Sequence, residues 1–322
     1  MDVMFYEVFR EEEIALKRHL LSVVDAGFTA DTVQEHKDEA APSNFISVRT
    51  QSVIPLEWAR SVNGILTRST GYDHLIAYRE RSRTNIPCGY LPEYCARAVA
   101  EHALLVLMAL LRKLPRQMKH FDTFNRDGLT GVECLGKNLL VIGVGHIGEM
   151  VASLGASLGM QVRGVDIIKR VQGLHYVSLK EGLPAADVIV CALPLTEQTQ
   201  WLLNYDRLQY AKRDTILVNV SRGEITPVQD LIKLLDEGVL GGLALDVYEN
   251  EPVLAEYLRS GNIILRQHHK TILTLRGRDN VILTPHNAFN TLESIERKAA
   301  QSVEVVMQFL ESRTFPFSVP PA

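Results

Sequence analysis

The chain has 322 residues, 46% of them apolar and 22% charged. That is an ordinary globular composition, which excludes a disordered or collagen-like chain and sets an expectation of about two domains. The 34 basic and 38 acidic side chains leave a formal charge of −4, so no overall positive field draws in nucleic acid.

The first hundred residues read as a small α/β unit: strands at Met4–Val8, Phe45–Val48 and Gly64–Thr67, helices at Glu11–Ala26 and Leu56–Val62. Pro87 and Pro92 flank a loop, and Arg97–Lys113 follows as an apolar helix with Glu101 and His102 near its start. From Lys137 onward short apolar runs alternate with amphipathic stretches, the pattern of parallel strands joined by crossover helices. The runs are Asn138–Ile142, Gln161–Val165, Asp187–Leu193, Thr215–Val220, Gly242–Val247 and Val281–Thr284, six strands in all. Runs such as Val188-Ile189-Val190 lack apolar/polar alternation, as strands buried on both faces do. Ile147–Gly159 and Val228–Glu237 carry helical spacing, the second ending at Gly238. The simplest architecture is doubly wound α/β with a parallel sheet. Leu292–Leu310 is a last amphipathic helix, expected to return to the N-terminal unit, ahead of the proline-rich tail Pro316–Pro321.

The four cysteines, Cys88, Cys95, Cys134 and Cys191, are too sparse and irregular for a disulfide framework or a CxxC site. Reduced thiols are expected. Met1–Arg10 lacks the basic start and apolar run of a secretory signal, and the best membrane candidate, Ala103–Leu111, falls far short of the roughly 20 apolar residues that cross a bilayer. The expectation is a cytoplasmic protein with no membrane and no nucleic-acid partner.

After the run Leu139–Ile142 comes Gly143-Val144-Gly145-His146-Ile147-Gly148. This GxGxxG opens a helix: the first glycine permits the tight turn, the second lets a pyrophosphate approach the backbone, and the third lets helix and strand pack closely. A helix N-terminus then offers free N–H groups to the phosphates. Gly143, Gly145, His146, Ile147 and Gly148 are therefore candidate cofactor contacts. The motif alone is weak, but Asp166 ends the next strand 18 residues after Gly148, where a carboxylate accepts from a ribose diol and repels a 2′-phosphate. NAD is expected over NADP, with Lys169 and Arg170 nearby to soften that preference.

Ligands of open α/β sheets bind beyond the carboxyl ends of the strands. Arg222, Glu251 and His286 stand there, after three different runs. Singly, each has a plainer reading: a surface turn arginine, a solvated loop carboxylate, a hydrogen-bonded strand-end histidine. Together they suit hydride transfer to a 2-oxo acid. A guanidinium binds the substrate carboxylate with two parallel hydrogen bonds, an imidazole donates a proton to the carbonyl oxygen, and a neighbouring carboxylate favours the imidazolium and fixes its tautomer.

At these residues the chain resembles the D-isomer-specific 2-hydroxyacid dehydrogenase family along nearly its whole length. The likeness rests on Val141–Gly148, Asn219-Val220-Ser221-Arg222-Gly223-Glu224, Leu245-Asp246-Val247-Tyr248-Glu249-Asn250-Glu251-Pro252 and Thr284-Pro285-His286-Asn287-Ala288-Phe289. It implies a Rossmann NAD-binding domain, residues 98–289, inserted into a smaller discontinuous α/β substrate domain made of residues 1–97 and 290–322. It also implies a homodimer, domain closure, Arg222 as substrate-binding arginine, Glu251 as orienting acid, His286 as acid/base, and Asp246 near the nicotinamide carboxamide. Within the family the D-lactate dehydrogenase branch is nearest. Tyr94 matches that branch's substrate-facing tyrosine, and Ser69-Thr70-Gly71-Tyr72-Asp73 resembles its loop whose amides, here those of Gly71 and Tyr72, receive the substrate carboxylate.

The implied reaction is reduction of a small 2-oxo acid, pyruvate first, by NADH. Hydroxypyruvate, glyoxylate or a bulkier 2-oxo acid is the alternative substrate. An NAD(H)-sensing regulatory protein is the alternative of another class. Pro227 stands where the family commonly has an acidic residue, and Arg97 where it usually has an uncharged one. The long basic stretch Leu254–Asp279 reads as a lid or an oligomer contact. Within it His268 and His269 lack a third ligand, so no metal is expected.

Overall fold

The computed structural model describes residues 1–20, 22–261 and 271–321. His268 and His269, in the middle of the basic stretch, lie outside the described residues. The chain divides into two units, Met1–Cys95 with Asn290–Ala322, and Ala96–Phe289.

The first unit is built on five parallel strands: β1 (Val3–Phe5), β2 (Ala26–Phe28), β3 (Phe45–Val48), β4 (Gly64–Thr67) and β5 (Cys88–Gly89), in the order β2-β1-β3-β4-β5. The strands β3 and β4 are buried along their whole length, which is why each reads as an unbroken apolar run. Ile46, Val48, Ile65, Trp58 and Leu75 form part of its core. The last helix, Leu292–Ser312, returns to this unit and packs on Arg10–His19.

Three expectations for this unit are corrected. The first helix stops at His19 rather than Ala26, with Leu20 already extended, and Ala26–Phe28 pairs with β1 as an edge strand. The β-branched pair Val23-Val24 and Gly27 weaken helical continuation there. Leu56–Arg60 is a short 3₁₀ turn rather than an α-helix, a frequent form for a five-residue connector. The loop between Pro87 and Pro92 contains β5, two residues long and so without readable periodicity.

Buried in this unit is a charged cluster. Glu12 from the first helix, Lys298 from the last and Arg68 just past β4 are all fully buried. Arg68 Nε donates to Glu12 Oε1 at 2.9 Å, its Nη1 to Ser47 Oγ at 3.0 Å and its Nη2 to the Tyr6 carbonyl at 2.6 Å. Lys298 Nζ lies 2.8 Å from the same Glu12 oxygen. Two cations thus share one carboxylate. Burial works against ionised Glu12, but Lys298, Arg68 and Arg49 outweigh it and hold the carboxyl at about 2. Burial pulls Lys298 down from 10.5 to about 7, the Glu12 attraction notwithstanding, because Arg49 and Arg68 repel the ammonium.

Between about 7 and 10.5 the unfolded chain therefore holds a proton at Lys298 that the folded chain has released, so stability rises with pH across that window and the gain is lost below it. Lys298→Met, which leaves the Glu12–Arg68 pair intact, is expected to raise the denaturant midpoint most at about pH 6, with the gain shrinking toward about pH 10. Urea unfolding at both values checks this. An equal gain at the two values would contradict it.

Among the described residues the second unit carries seven parallel strands: β6 (Asn138–Ile142), β7 (Gln161–Val165), β8 (His175–Tyr176), β9 (Val188–Cys191), β10 (Thr215–Asn219), β11 (Leu240–Leu245) and β12 (Val281–Leu283). Their order, β12-β11-β10-β9-β6-β7-β8, reverses direction between β6 and β9. Crevices at such switch points are where doubly wound sheets bind ligands. The sequence predicts six strands here; the seventh is β8, a two-residue edge strand paired with β7 through Arg163 and Gly164. The apolar helix runs Ala96–Leu111 and packs on the helix His146–Ser157 and on β10. Pro227 stands directly before the helix Val228–Asp236, consistent with a residue that starts a helix without needing its N–H. Leu254–Ser260, the start of the basic stretch, belongs to the helix Glu251–Ser260. No helix among the described residues is long and apolar enough to cross a membrane.

Candidate active site

The glycine turn follows β6, at the switch point. Gly143 has φ +88°, and a Cβ on Gly148 would lie 1.9 Å from the Gly143 carbonyl oxygen, so neither position accepts a side chain. Gly145 differs: a Cβ there meets nothing within 4 Å, leaving an open cradle against the backbone. Gly145 also caps the helix His146–Ser157 without any side-chain hydrogen bond, so first-turn N–H groups remain for an anion. His146 is exposed and Ile147 half-buried beside it. Asp166, after β7, accepts from the Val144 amide at 2.6 Å and from the Ile168 amide at 2.8 Å. Those bonds fix a negative charge next to the turn. Open cradle, free helix end and tethered carboxylate fit a dinucleotide with an unphosphorylated ribose.

The adjacent strands β10, β11 and β12 deliver the remaining groups from their carboxyl ends. Asn219, fully buried at the end of β10, shapes the arginine turn: its Nδ2 donates to the Arg222 carbonyl and to Thr226 Oγ1, each at 2.8 Å, and its Oδ1 accepts from the Ser221 amide at 2.9 Å. A Cβ on Gly223 would lie 1.9 Å from the Tyr248 carbonyl carbon, so only glycine lets the Arg222 turn sit flush against the loop leading to Glu251. Arg222 Nη1 donates to the Ser221 carbonyl at 2.8 Å. Glu251 opens its helix after Asn250, which has φ +50°. His286 lies beyond β12 in a left-handed conformation, φ +51°, a costly geometry for a non-glycine residue that surrounding bonds must hold.

His286 Nδ1 lies 2.6 Å from Glu251 Oε1, with both side chains largely shielded from solvent. A carboxylate only accepts, so Nδ1 carries the hydrogen and the neutral ring has its lone pair on Nε2. Asp246, at the end of β11, is buried and holds the His286 turn: Oδ1 accepts from Thr284 Oγ1 at 2.6 Å and from the Asn287 amide at 2.8 Å, and Oδ2 from the Ala288 amide at 2.9 Å. In chemical terms, the unit joins a nucleotide cradle to an imidazole–carboxylate pair and an arginine turn on neighbouring strands.

Comparison with known proteins agrees with that chemistry. The family model described as "D-isomer specific 2-hydroxyacid dehydrogenase, NAD binding domain" matches residues 103–288. The chain belongs to the D-isomer specific 2-hydroxyacid dehydrogenase family. It is 34% identical to a D-lactate dehydrogenase of Curvularia clavata over 74% of this chain and 69% of that one. With a glyoxylate reductase of Pyrococcus furiosus it shares 29% over 91% and 82%. The solved D-lactate dehydrogenase from Aquifex aeolicus, complexed with NAD and lactic acid, superposes with a TM-score of 0.83 at 30% identity over 100% of both chains. The protein is therefore an NAD-dependent oxidoreductase with a Rossmann domain, acting on a small hydroxy or oxo acid.

Three more of the residues singled out in this dehydrogenase, Gly71, Tyr72 and Tyr94, fall in the first unit. Gly71 and Tyr72 directly precede the helix Asp73–Ser82; the Gly71 carbonyl accepts from Ser69 Oγ at 2.7 Å, and the Tyr72 ring lies 4.7 Å from that of Tyr90. Tyr94 is buried. Its hydroxyl donates to the Arg68 carbonyl at 3.4 Å, and burial pushes its pKa well above the ordinary phenol value, so the structure places it in the packing beside the Glu12 cluster. Asp246, read by resemblance as a nicotinamide neighbour, has its carboxylate engaged by the 284–288 turn. Arg97 is exposed and paired with Glu101. Sequence reasoning missed Asn219 and Thr284 as shaping residues. Their neighbours in the chain were noticed for their charge, while short polar residues at strand ends give no comparable signal. Among the described residues no group of three or more His, Cys, Asp and Glu side chains is arranged to hold a metal.

Proposed function

We propose that this dehydrogenase reduces a small 2-oxo acid to its D-2-hydroxy acid with NADH, pyruvate being the leading substrate. The observation that carries the reading is the 2.6 Å His286–Glu251 contact, beyond the carboxyl ends of the strands next to the one that leads to the arginine turn. Arg222 binds the substrate carboxylate through its planar fork and sets the carbonyl in register. In the first unit, the amides of Gly71 and Tyr72, at the start of a helix, are assigned to a carboxylate. When bound, NADH supplies the hydride. His286 in its imidazolium form gives the Nε2 proton to the carbonyl oxygen while Nδ1 keeps its hydrogen, donated to Glu251. Asp166 favours NAD over NADP, and Gly143, Gly145, His146, Ile147 and Gly148 seat the pyrophosphate.

The first unit is assigned as the substrate domain. A homodimer is part of the proposal, supported by the exposed apolar side chains of Met118, Phe121 and Phe124 in the second unit. A cytoplasmic setting is supported by the four free cysteines.

Glyoxylate is the second reading, favoured by the glyoxylate reductase of Pyrococcus furiosus among the relatives. Steady-state oxidation of NADH with pyruvate, hydroxypyruvate, glyoxylate, phenylpyruvate and 2-oxoisocaproate tests both. The expected result is turnover with pyruvate, and kcat/KM for phenylpyruvate lower by about tenfold or more, because a pocket shaped for a methyl group excludes a ring. A kcat/KM ranking led by glyoxylate would replace pyruvate with the second reading. No oxidation with any of the five acids would overturn the reading altogether.

A further inference from the structure

His102 belongs to the helix Ala96–Leu111, far in sequence from every motif that carries the reaction, yet its ring reaches the turn that bears His286. Its Nε2 lies 3.2 Å from Thr284 Oγ1. The Thr284 hydroxyl has a single proton, and that proton faces Asp246 Oδ1 at 2.6 Å, an acceptor without a hydrogen of its own. Thr284 therefore accepts from His102, and Nε2 carries the hydrogen.

Thr284 is the hub of the turn. Its carbonyl accepts from the His286 amide at 3.0 Å and from the Tyr248 hydroxyl at 2.7 Å, and its amide donates to the Leu245 carbonyl at 3.0 Å. Asp246, 3.9 Å from His102 Nε2, takes the Asn287 and Ala288 amides. The left-handed backbone of His286 is thus fixed by a chain of donors and acceptors that begins at His102. We propose that His102 is a positioning residue for the reaction, locking the Thr284–Asp246 bond so that the His286 turn keeps the geometry needed for proton transfer. This rests on the reading of His286 as the acid/base.

The test uses His102→Gln, His102→Asn and His102→Leu in the full chain, with kcat, KM for the 2-oxo acid, NADH Kd by fluorescence and Tm measured for each. Gln places a donor where the histidine Nε2 stands, Asn stops short of it, and Leu has none. The expected result is a fall in kcat of about tenfold for Leu and Asn, the effect of one lost hydrogen bond, with near wild-type kcat for Gln. KM, NADH Kd and Tm should stay close to wild type in all three. In a Thr284→Val background the Leu substitution should add nothing further, since the two act through one bond.

Wild-type kcat in His102→Leu, failure of Gln to rescue, or full additivity with Thr284→Val would each overturn the proposal. His286→Ala, assayed alongside, separates the two levels. Retention of turnover by that variant removes the acid/base reading and this proposal with it. Loss of turnover there, with His102→Leu unaffected, removes only the role of His102.

Discussion

His286→Ala is expected to lower kcat by about 10²- to 10⁴-fold while NADH binds within about twofold of wild type. The imidazole is the group placed to donate a proton as hydride arrives, and its removal leaves the glycine cradle and Asp166 untouched, since these lie beyond β6 and β7. Fluorescence titration of NADH beside steady-state turnover measures both quantities. Glu251→Gln is expected to fall between the two, because an amide can present either oxygen or NH₂ to Nδ1 and no longer enforces one tautomer. A variant lacking His286 that keeps kcat within about tenfold of wild type would remove the acid/base assignment. Wild-type protein that binds NADH and turns over no 2-oxo acid would favour an NAD(H)-sensing protein instead.

The second large effect is expected in the first unit. Glu12→Ala removes the carboxylate that Arg68 and Lys298 share at 2.9 Å and 2.8 Å, leaving the Arg68 guanidinium buried without that carboxylate and the Lys298 amine without the attraction that favours its charged form. Breaking a buried pair from one side typically costs about 3–5 kcal/mol, far above the roughly 1 kcal/mol ceiling of an exposed pair. The measurement is the denaturant midpoint, with the slope checked for unchanged two-state behaviour. The double variant Glu12→Ala/Lys298→Met should recover part of the loss, since an apolar side chain then replaces a buried amine that has lost its Glu12 acceptor. A loss under about 1 kcal/mol in the single variant would mean that water reaches the cluster and that its burial is not what sets its energetics.

How much of this was legible in the sequence depended on whether a feature has a period. The strands β3, β4 and β6 begin and end on or within a residue or so of the apolar runs that announce them, because strands buried on both faces write their boundaries in composition. Strands β5 and β8 are two residues long and leave no pattern to read. Strand β2 was absorbed into a helix because Leu20 to Ala26 is apolar enough to extend one, and only pairing with β1 decides otherwise. In the site, Arg222, Glu251 and His286 were visible as charged residues after strands, and the order β12-β11-β10 makes those strands neighbours. What stayed hidden was side-chain direction. Tyr94 turns into the packing, Asp246 turns onto the 284–288 turn, and His102 meets Thr284 across 182 residues of sequence. None of these follows from spacing.

The salt bridge from Glu12 to Lys298 also orders events during synthesis. At roughly 5–20 residues per second the ribosome takes on the order of fifteen seconds to a minute to travel between those two codons. The nascent first unit must wait through that interval with its first helix uncovered, while the whole of Ala96–Phe289 emerges and is able to fold. A stop between Phe289 and Leu292 would therefore release a chain whose second unit is complete and whose first is not, a form that chaperones and proteases would meet with Glu12 still lacking the Lys298 ammonium.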